Sequence, residues 1–150
     1  MEKKRKIIPA AYLLMTLVLM WLADYFVPVY RYIEEPAAYS GIILVFAGIA
    51  VAAVAANRFR KAGTGLLPFD EATTLVTTGL NRYSRNPMYV GMFLMVSGVA
   101  ILFGSVGAFL PLLVFVWIIR NSFVLAEERF MEAAFGQSYR DYKSKVRRWI

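Results

Sequence analysis

The chain has 150 residues, of which 59% are hydrophobic, and its mean hydropathy of +0.55 indicates an integral membrane protein rather than a soluble domain. It contains no cysteine and no histidine, which excludes thiolate nucleophiles, disulfides, a histidine base, haem ligation by these residues and the usual zinc sites. The net charge of +7 comes from cations that flank apolar segments, which favours anionic lipid headgroups over nucleic acid as partners.

Four apolar segments follow one another and predict a single all-α domain over residues 1–150. The first has 21 residues, about 31 Å as a helix, and lacks a small-residue cleavage site, so we interpret it as a retained span rather than a signal peptide. In the second, Gly48, Ala52 and Ala56 recur every four residues, which permits close packing against another helix. The third and fourth meet at Gly104-Ser105 and predict a helical hairpin. The expected spans are 7–27, 39–56, 88–103 and 106–126.

Two polar segments complete the chain. The connection over 57–87 is long enough to be functional or disordered, and its apolar residues favour a segment lying on the membrane surface. Gly63-Thr64-Gly65 within it indicates a simple turn. The tail over 127–150 combines tyrosines, cations and Trp149, a pattern typical of amphipathic helices in the headgroup region, with Gly136 as a break.

The cations set the expected orientation. Four precede the first span, five lie in 57–85 and six follow the fourth span, whereas the connector after the first span has Arg31 alone. By the positive-inside rule both termini and the long loop are cytosolic, and so is the site that they would form.

The stretch 79–91 predicts a helix start at the edge of an apolar run. Asn86 is a suitable N-cap and Pro87 suits the first helical position. Arg82 and Arg85 precede this helix end, a place that attracts carboxylates and phosphates. Arginines that mark the cytosolic end of a membrane helix are the alternative interpretation.

Charged and polar residues recur at the end of the fourth span. Arg120 either extends to the interface or faces inward with a function. Glu127 follows Arg120 by seven residues and Glu128 follows Asn121 by seven, which places each pair on one face of an α-helix. A solvated helix start at the interface is the alternative for the two glutamates.

Together these residues resemble a family of integral-membrane methyltransferases that includes isoprenylcysteine carboxyl methyltransferase and phospholipid N-methyltransferases. The resemblance covers roughly the C-terminal half of the chain. The matching pieces are Thr77-Thr78-Gly79, Arg82, Ser84-Arg85-Asn86-Pro87-Met88-Tyr89-Val90-Gly91, Glu127-Glu128, Phe135-Gly136, Tyr139, Tyr142 and Val146-Arg147-Arg148-Trp149.

The resemblance implies S-adenosylmethionine as cofactor, S-adenosylhomocysteine as product, and a lipophilic or lipidated acceptor entering from the bilayer. It implies no metal. Arg120, Asn121 and Glu127 are the candidate catalytic residues, the first two for orienting the acceptor headgroup. The candidate cofactor-binding residues are Arg82, Arg85, Asn86, Pro87, Tyr89, Gly91, Glu127, Glu128, Tyr139 and Tyr142.

Two departures from the family pattern concern the reaction. Asn86 replaces a histidine of many relatives, and Gly79-Leu80-Asn81 replaces a Gly-Pro-aromatic sequence. Because asparagine cannot titrate, a histidine-based proton transfer is not carried over. A carboxylate acceptor of the isoprenylcysteine type needs no base and is therefore favoured.

Three other functions are weighed. N-methylation of a phospholipid or another lipid amine is the second enzyme hypothesis, with Glu or Tyr serving as base. A small four-span transporter would need an acid within a span, and Asp24 is the one present. A structural membrane subunit would leave the 79–91 motif and the paired glutamates unexplained.

Overall fold

A computed structural model describes residues 9–27, 30–63 and 73–150. The described residues form helices and contain no named strand. Short 3-10 helices occupy Ala37–Tyr39 and Gly79–Arg82, and a π-helical segment, Ile119–Val124, joins α4 to α5. The α-helices are α1 (Pro9–Phe26), α2 (Ser40–Lys61), α3 (Pro87–Phe103), α4 (Val106–Ile118), α5 (Leu125–Phe135) and α6 (Gln137–Lys145).

Among the described residues, three helical stretches are long and apolar enough to cross a membrane: Pro9–Phe26, Ala37–Lys61 and Val106–Phe135. α3 is apolar but has 17 residues, about 26 Å of helix. The helical membrane architecture is confirmed, whereas the count of four spans stays a prediction. Residues 7 and 8 of the first expected span, and 64–72 of the connection with its predicted turn and surface segment, lie outside the described residues.

Two predicted helix ends differ from the structure. α2 continues to Lys61 instead of ending near residue 56, because Arg58, Arg60 and Lys61 stabilise the negative end of the helix dipole in its last turn. The fourth apolar segment continues through the π-helical segment into α5 instead of ending near residue 126.

α2 and α3 pack most closely, through glycines. A Cβ atom on Gly48 would lie 2.5 Å from the Gly91 carbonyl oxygen, and one on Gly91 would lie 2.7 Å from the Ala52 nitrogen. Gly41 and Gly98 oppose each other in the same way. The predicted packing role of Gly48 and Ala52 is confirmed, and Gly91 has a packing role too.

The turn between α3 and α4 lies at Gly104-Ser105. Gly104 has φ +65°, a left-handed conformation that suits glycine, and the Ser105 hydroxyl accepts a hydrogen bond from the Ala108 nitrogen. The Tyr32 nitrogen donates to the Gly104 carbonyl oxygen, and the Val106 nitrogen donates to the Tyr30 carbonyl oxygen. These two bonds connect the turn to the connector after α1. α3 then packs chiefly on α2, and α4 packs on α1.

The core lies between α1, α3 and α4, and its buried members include Met20, Val96, Leu112 and Phe115. The opposite faces of these helices expose large apolar side chains such as Trp21 and Trp117. The C-terminal helices are amphipathic, and Gly136, with φ +53°, breaks α5 from α6 at the predicted residue.

Candidate active site

A buried cluster of charges links the start of α3, α5 and the end of the chain. The Glu128 carboxylate lies 3.0 Å from Arg85 Nη2 and accepts hydrogen bonds from Arg148 Nε at 2.8 Å and Nη2 at 2.9 Å. The side chains of Arg85 and Glu128 are each 7% exposed. We call these three residues, Arg85, Glu128 and Arg148, the arginine–glutamate cluster.

The C-terminal segment, residues 146–150 after α6, returns to the residues before α3 and holds this cluster in place. The Arg85 backbone nitrogen donates to the Arg147 carbonyl oxygen at 3.0 Å. The Ser84 hydroxyl and the Asn86 side-chain amide both donate to the Arg148 carbonyl oxygen, at 3.3 and 3.1 Å. These bonds place Arg148 beside the residues that precede α3, although the two are far apart in sequence.

Asn86 therefore has a different role from the predicted one. It does precede the helix that begins at Pro87, but its side chain makes no capping hydrogen bond. The expectation of a side-chain cap is wrong, because the Asn86 amide binds the returning C-terminal segment instead.

Two buried tyrosines on α6 adjoin the cluster. Tyr139 is 3% exposed and Tyr142 is 8% exposed, and their ring centroids are 6.1 Å apart. The Tyr142 hydroxyl donates to the Asn81 carbonyl oxygen at 2.6 Å. Burial, aided by the nearby Glu128 carboxylate, raises the pKa of Tyr139 to about 12, so its phenol is neutral at physiological pH.

Several buried polar atoms beside the cluster lack partners among the described residues. They are Nε and Nη1 of Arg85 and Oδ1 of Asn81. Buried polar groups of proteins are normally paired, so two guanidinium donors and one amide acceptor remain available for a ligand. The donors suit an anionic group such as a carboxylate.

Glu127 has different surroundings from Glu128. The Tyr89 hydroxyl donates to Glu127 Oε1 at 2.6 Å, and Tyr89 is 6% exposed. Among the described residues, the ion pairs involve Asp24, Glu128 and Glu132 but not Glu127. Glu127 is therefore the carboxylate at this site that lacks a cationic partner in the described part of the chain.

An apolar cavity of about 310 Å³ lies next to this pair. α3, α4, the start of the π-helical segment and the C-terminal segment supply its walls. Tyr89 belongs to both the cavity and the Glu127 pair. The lining residues are Tyr89, Val90, Phe93, Phe115, Val116, Ile119, Trp149 and Ile150.

The predicted residues thus divide into two groups. The first, which the structure brings together, comprises Arg85, Asn86, Pro87, Tyr89, Glu127, Glu128, Tyr139 and Tyr142. The second comprises Arg82, which is exposed, Gly91, which faces α2, and the Arg120–Asn121 pair.

Arg120 and Asn121 lie in the π-helical segment. Arg120 Nη1 donates to Asn121 Oδ1 at 3.2 Å, and Asn121 Nδ2 donates to the Trp117 carbonyl oxygen at 2.8 Å. The predicted alignment of Arg120 with Glu127 assumed an uninterrupted α-helix, whereas the wider turns of the π-helix change the direction of the residues that follow.

Sequence reasoning missed the contributions of Asn81, Ser84 and Arg148. Arg148 belongs to a basic and aromatic tail that is typical of membrane interfaces, so its pairing with Glu128 has no local signal. Asn81 stands out in the sequence through its departure from the family pattern, which pointed to the position but not to a role.

Comparisons with known proteins support a common origin. A protein-S-isoprenylcysteine O-methyltransferase of Schizosaccharomyces pombe is 35% identical over 72 residues, 48% of this chain and 30% of that protein. An uncharacterized protein of Haemophilus influenzae is 35% identical over 63 residues, 42% of this chain and the whole of that protein. The chain therefore spans less than a third of the S. pombe relative.

The fold is also that of a solved membrane enzyme. The structure of a eukaryotic intramembrane Ras methyltransferase, isoprenylcysteine carboxyl methyltransferase, matches 97% of this chain and 52% of its own, with a TM-score of 0.67 and 20% identity. The sequence model described as phospholipid methyltransferase matches residues 36–138, more than half of the chain. The protein therefore belongs to the phospholipid methyltransferase family of membrane proteins.

Proposed function

We propose that the protein transfers a methyl group from S-adenosylmethionine to a lipophilic acceptor within the membrane. One observation carries the proposal: a buried polar site adjoins an apolar cavity and shares walls with it. Tyr89 contacts both, and the consecutive residues Arg148 and Trp149 belong to the cluster and to the cavity respectively. A polar cofactor and a lipid chain need a polar region and an apolar cavity side by side.

The described residues fit this cofactor. Arg85 offers two buried donors without partners, which suit the cofactor carboxylate. Glu127 lacks a cation and suits the positive sulfonium. Tyr139 and Tyr142 present buried aromatic rings to the adenosyl part.

The cofactor supplies an activated methyl group, so the chain has to align the two reactants and exclude water. The cavity orders the lipid chain of the acceptor, and Trp149 contributes to its wall. Glu127, held by Tyr89, stabilises positive charge beside the cavity. Arg120 and Asn121 are proposed to orient the acceptor headgroup at the membrane interface.

The favoured acceptor is an isoprenylcysteine-type carboxylate. The name of the S. pombe relative supports it, and a carboxylate attacks the methyl group without prior loss of a proton. A lipid amine is the second candidate, supported by the name of the matching family and by Glu127, which could accept a proton from an ammonium group.

We further propose that all four apolar segments cross the membrane, with the third and fourth as a hairpin and with both termini and the site in the cytosol. The hydrogen bonds of the Gly104 turn to the connector after α1 support this arrangement, since both would then lie at the outer surface.

Calorimetric titration of the purified protein with S-adenosylmethionine and S-adenosylhomocysteine tests the cofactor, and transfer of labelled methyl groups to lipids tests the acceptor. Saturable binding is expected, together with a labelled product that base hydrolyses if it is an ester. A folded protein that binds neither compound would contradict the proposal. Asp24, which pairs with Arg31 at 3.3 Å, would then be the residue to test for transport.

A further inference from the structure

Asn81 is buried, yet part of its polar side chain lacks a partner. It lies in the 3-10 helix Gly79–Arg82 and is 2% exposed. Its backbone oxygen accepts the Tyr142 hydroxyl at 2.6 Å, whereas its side-chain Oδ1 has no hydrogen-bond partner in the described part of the chain. An unpaired buried acceptor is unfavourable, which suggests that a ligand completes it.

The surroundings of Asn81 indicate what kind of ligand. Tyr142 holds Asn81 against α6 through the hydrogen bond from its hydroxyl. Arg85 follows Asn81 by four residues, after a turn in which the Ser84 nitrogen donates to the Leu80 carbonyl oxygen at 3.1 Å. Arg85 contributes unpaired donors, Nε and Nη1. The site therefore offers an acceptor at Asn81 and donors at Arg85 beside two buried rings.

This combination is complementary to a zwitterionic α-amino acid group, whose ammonium donates and whose carboxylate accepts. Glu128 is less suited to the ammonium, since its two oxygens are already bound by Arg148 and Arg85.

We infer that Asn81 binds the α-ammonium group of the cofactor while Arg85 binds its carboxylate. The inference rests on the proposed function. It assigns this contact to the side-chain amide of Asn81, at a position where the family pattern has an aromatic residue.

Two ligands isolate the amino acid end of the cofactor. S-adenosylhomocysteine and 5′-methylthioadenosine are both thioethers of the same nucleoside, and 5′-methylthioadenosine lacks the amino acid group. Their affinities for the purified full chain are measured by calorimetry in the wild type, in Asn81→Ala and in the control Asn57→Ala, which removes an exposed asparagine from α2.

Asn81→Ala should lower the affinity for S-adenosylhomocysteine roughly tenfold or more, because a hydrogen bond to a charged group is lost. The affinity for 5′-methylthioadenosine should change less than about twofold, and Asn57→Ala should change neither. The ratio of the two affinities is measured within one preparation, so partial misfolding does not affect it. Should Asn81→Ala fail to fold, Asn81→Ser, which keeps a polar but shorter side chain, gives the same comparison.

If Asn81→Ala weakens the binding of both ligands equally, the ratio of their affinities is unchanged. That result would place Asn81 against the nucleoside and overturn the inference. A wild-type protein that binds neither ligand would overturn the proposed function and this inference with it. Wild-type binding of both ligands, with no effect of Asn81→Ala, would overturn the inference alone.

Discussion

At the residue scale, two adjacent glutamates are given opposite tasks by their surroundings. Glu128 is neutralised by two arginines, whereas Glu127 accepts a tyrosine hydroxyl. The family pattern predicted that Glu128, Arg85 and the tyrosines would meet, but it could not separate the two glutamates. The difference between the two glutamates depends on Arg148. Hydrogen bonds to the Arg147 and Arg148 carbonyl oxygens hold this residue beside Glu128.

Glu127→Gln should weaken the binding of S-adenosylmethionine more than that of S-adenosylhomocysteine, because the first ligand carries the sulfonium charge and the second does not. We expect a loss of affinity of roughly tenfold to a hundredfold for the first ligand, since charge-assisted interactions contribute about 1.5–3 kcal/mol. Glutamine still accepts from Tyr89, so the thermal midpoint should hold. The control is Glu132→Gln, which removes a half-exposed pair with Lys143. Equal losses for both ligands would show that Glu127 does not balance the sulfonium.

Glu128→Gln should instead destabilise the ligand-free protein. It leaves the buried Arg85 without its counter-charge and Arg148 with a weaker partner. Breaking a buried ion pair from one side costs about 3–5 kcal/mol, which thermal unfolding in detergent would record as a lower midpoint than that of Glu127→Gln. An unchanged midpoint would contradict the structural role given to Glu128.

At the element scale, the spacing of small residues predicted close packing by α2 but did not identify its partner. The structure identifies α3, and it places Gly91 at that contact. Helix ends were predicted well where a local signal exists, as at Pro87, Gly104 and Gly136. The π-helical segment was not predicted, because the apolar pattern of the fourth segment runs through it without a break.

Gly91→Ala tests the packing role directly. Its new Cβ would lie within 2.7 Å of backbone atoms of Gly48 and Ala52, which cannot move as a flexible side chain could. The ligand-free protein should therefore unfold at a lower temperature, with a cost of about 1–3 kcal/mol for overpacking. Ala53→Val, on the exposed face of α2, is the matched control and should have little effect. A normal midpoint with weakened cofactor binding would instead favour the predicted cofactor role of Gly91.

At the scale of the whole molecule, the proposed function depends on the wall shared by the polar site and the cavity. Val116→Phe should fill part of the cavity and raise the KM for the lipid acceptor, while S-adenosylhomocysteine binds as before. Val114→Phe places the same side chain on the exposed face of α4 and is the control. Loss of cofactor affinity in Val116→Phe, or an unchanged KM, would argue against the cavity as the acceptor site. Its walls come from segments distant in sequence, which is why composition alone could not locate it.

The membrane topology also belongs to the scale of the whole molecule. The cation counts predict it, and the sequence makes it easy to measure. Because the chain has no cysteine, a single introduced cysteine reports one position without background. Tyr30→Cys, Arg60→Cys and Ser144→Cys replace exposed residues after α1, late in α2 and in α6. With four spans and cytosolic termini, a membrane-impermeant thiol reagent added outside intact cells should label Tyr30→Cys and neither of the other two.

The connector holding Tyr30 is bonded to the Gly104 turn, so α3 and α4 must then return the chain to the inner surface, where Arg85, Glu128 and Arg148 meet. Labelling of Ser144→Cys from outside would place the tail and its arginine–glutamate cluster on the wrong side for a cofactor made in the cytosol.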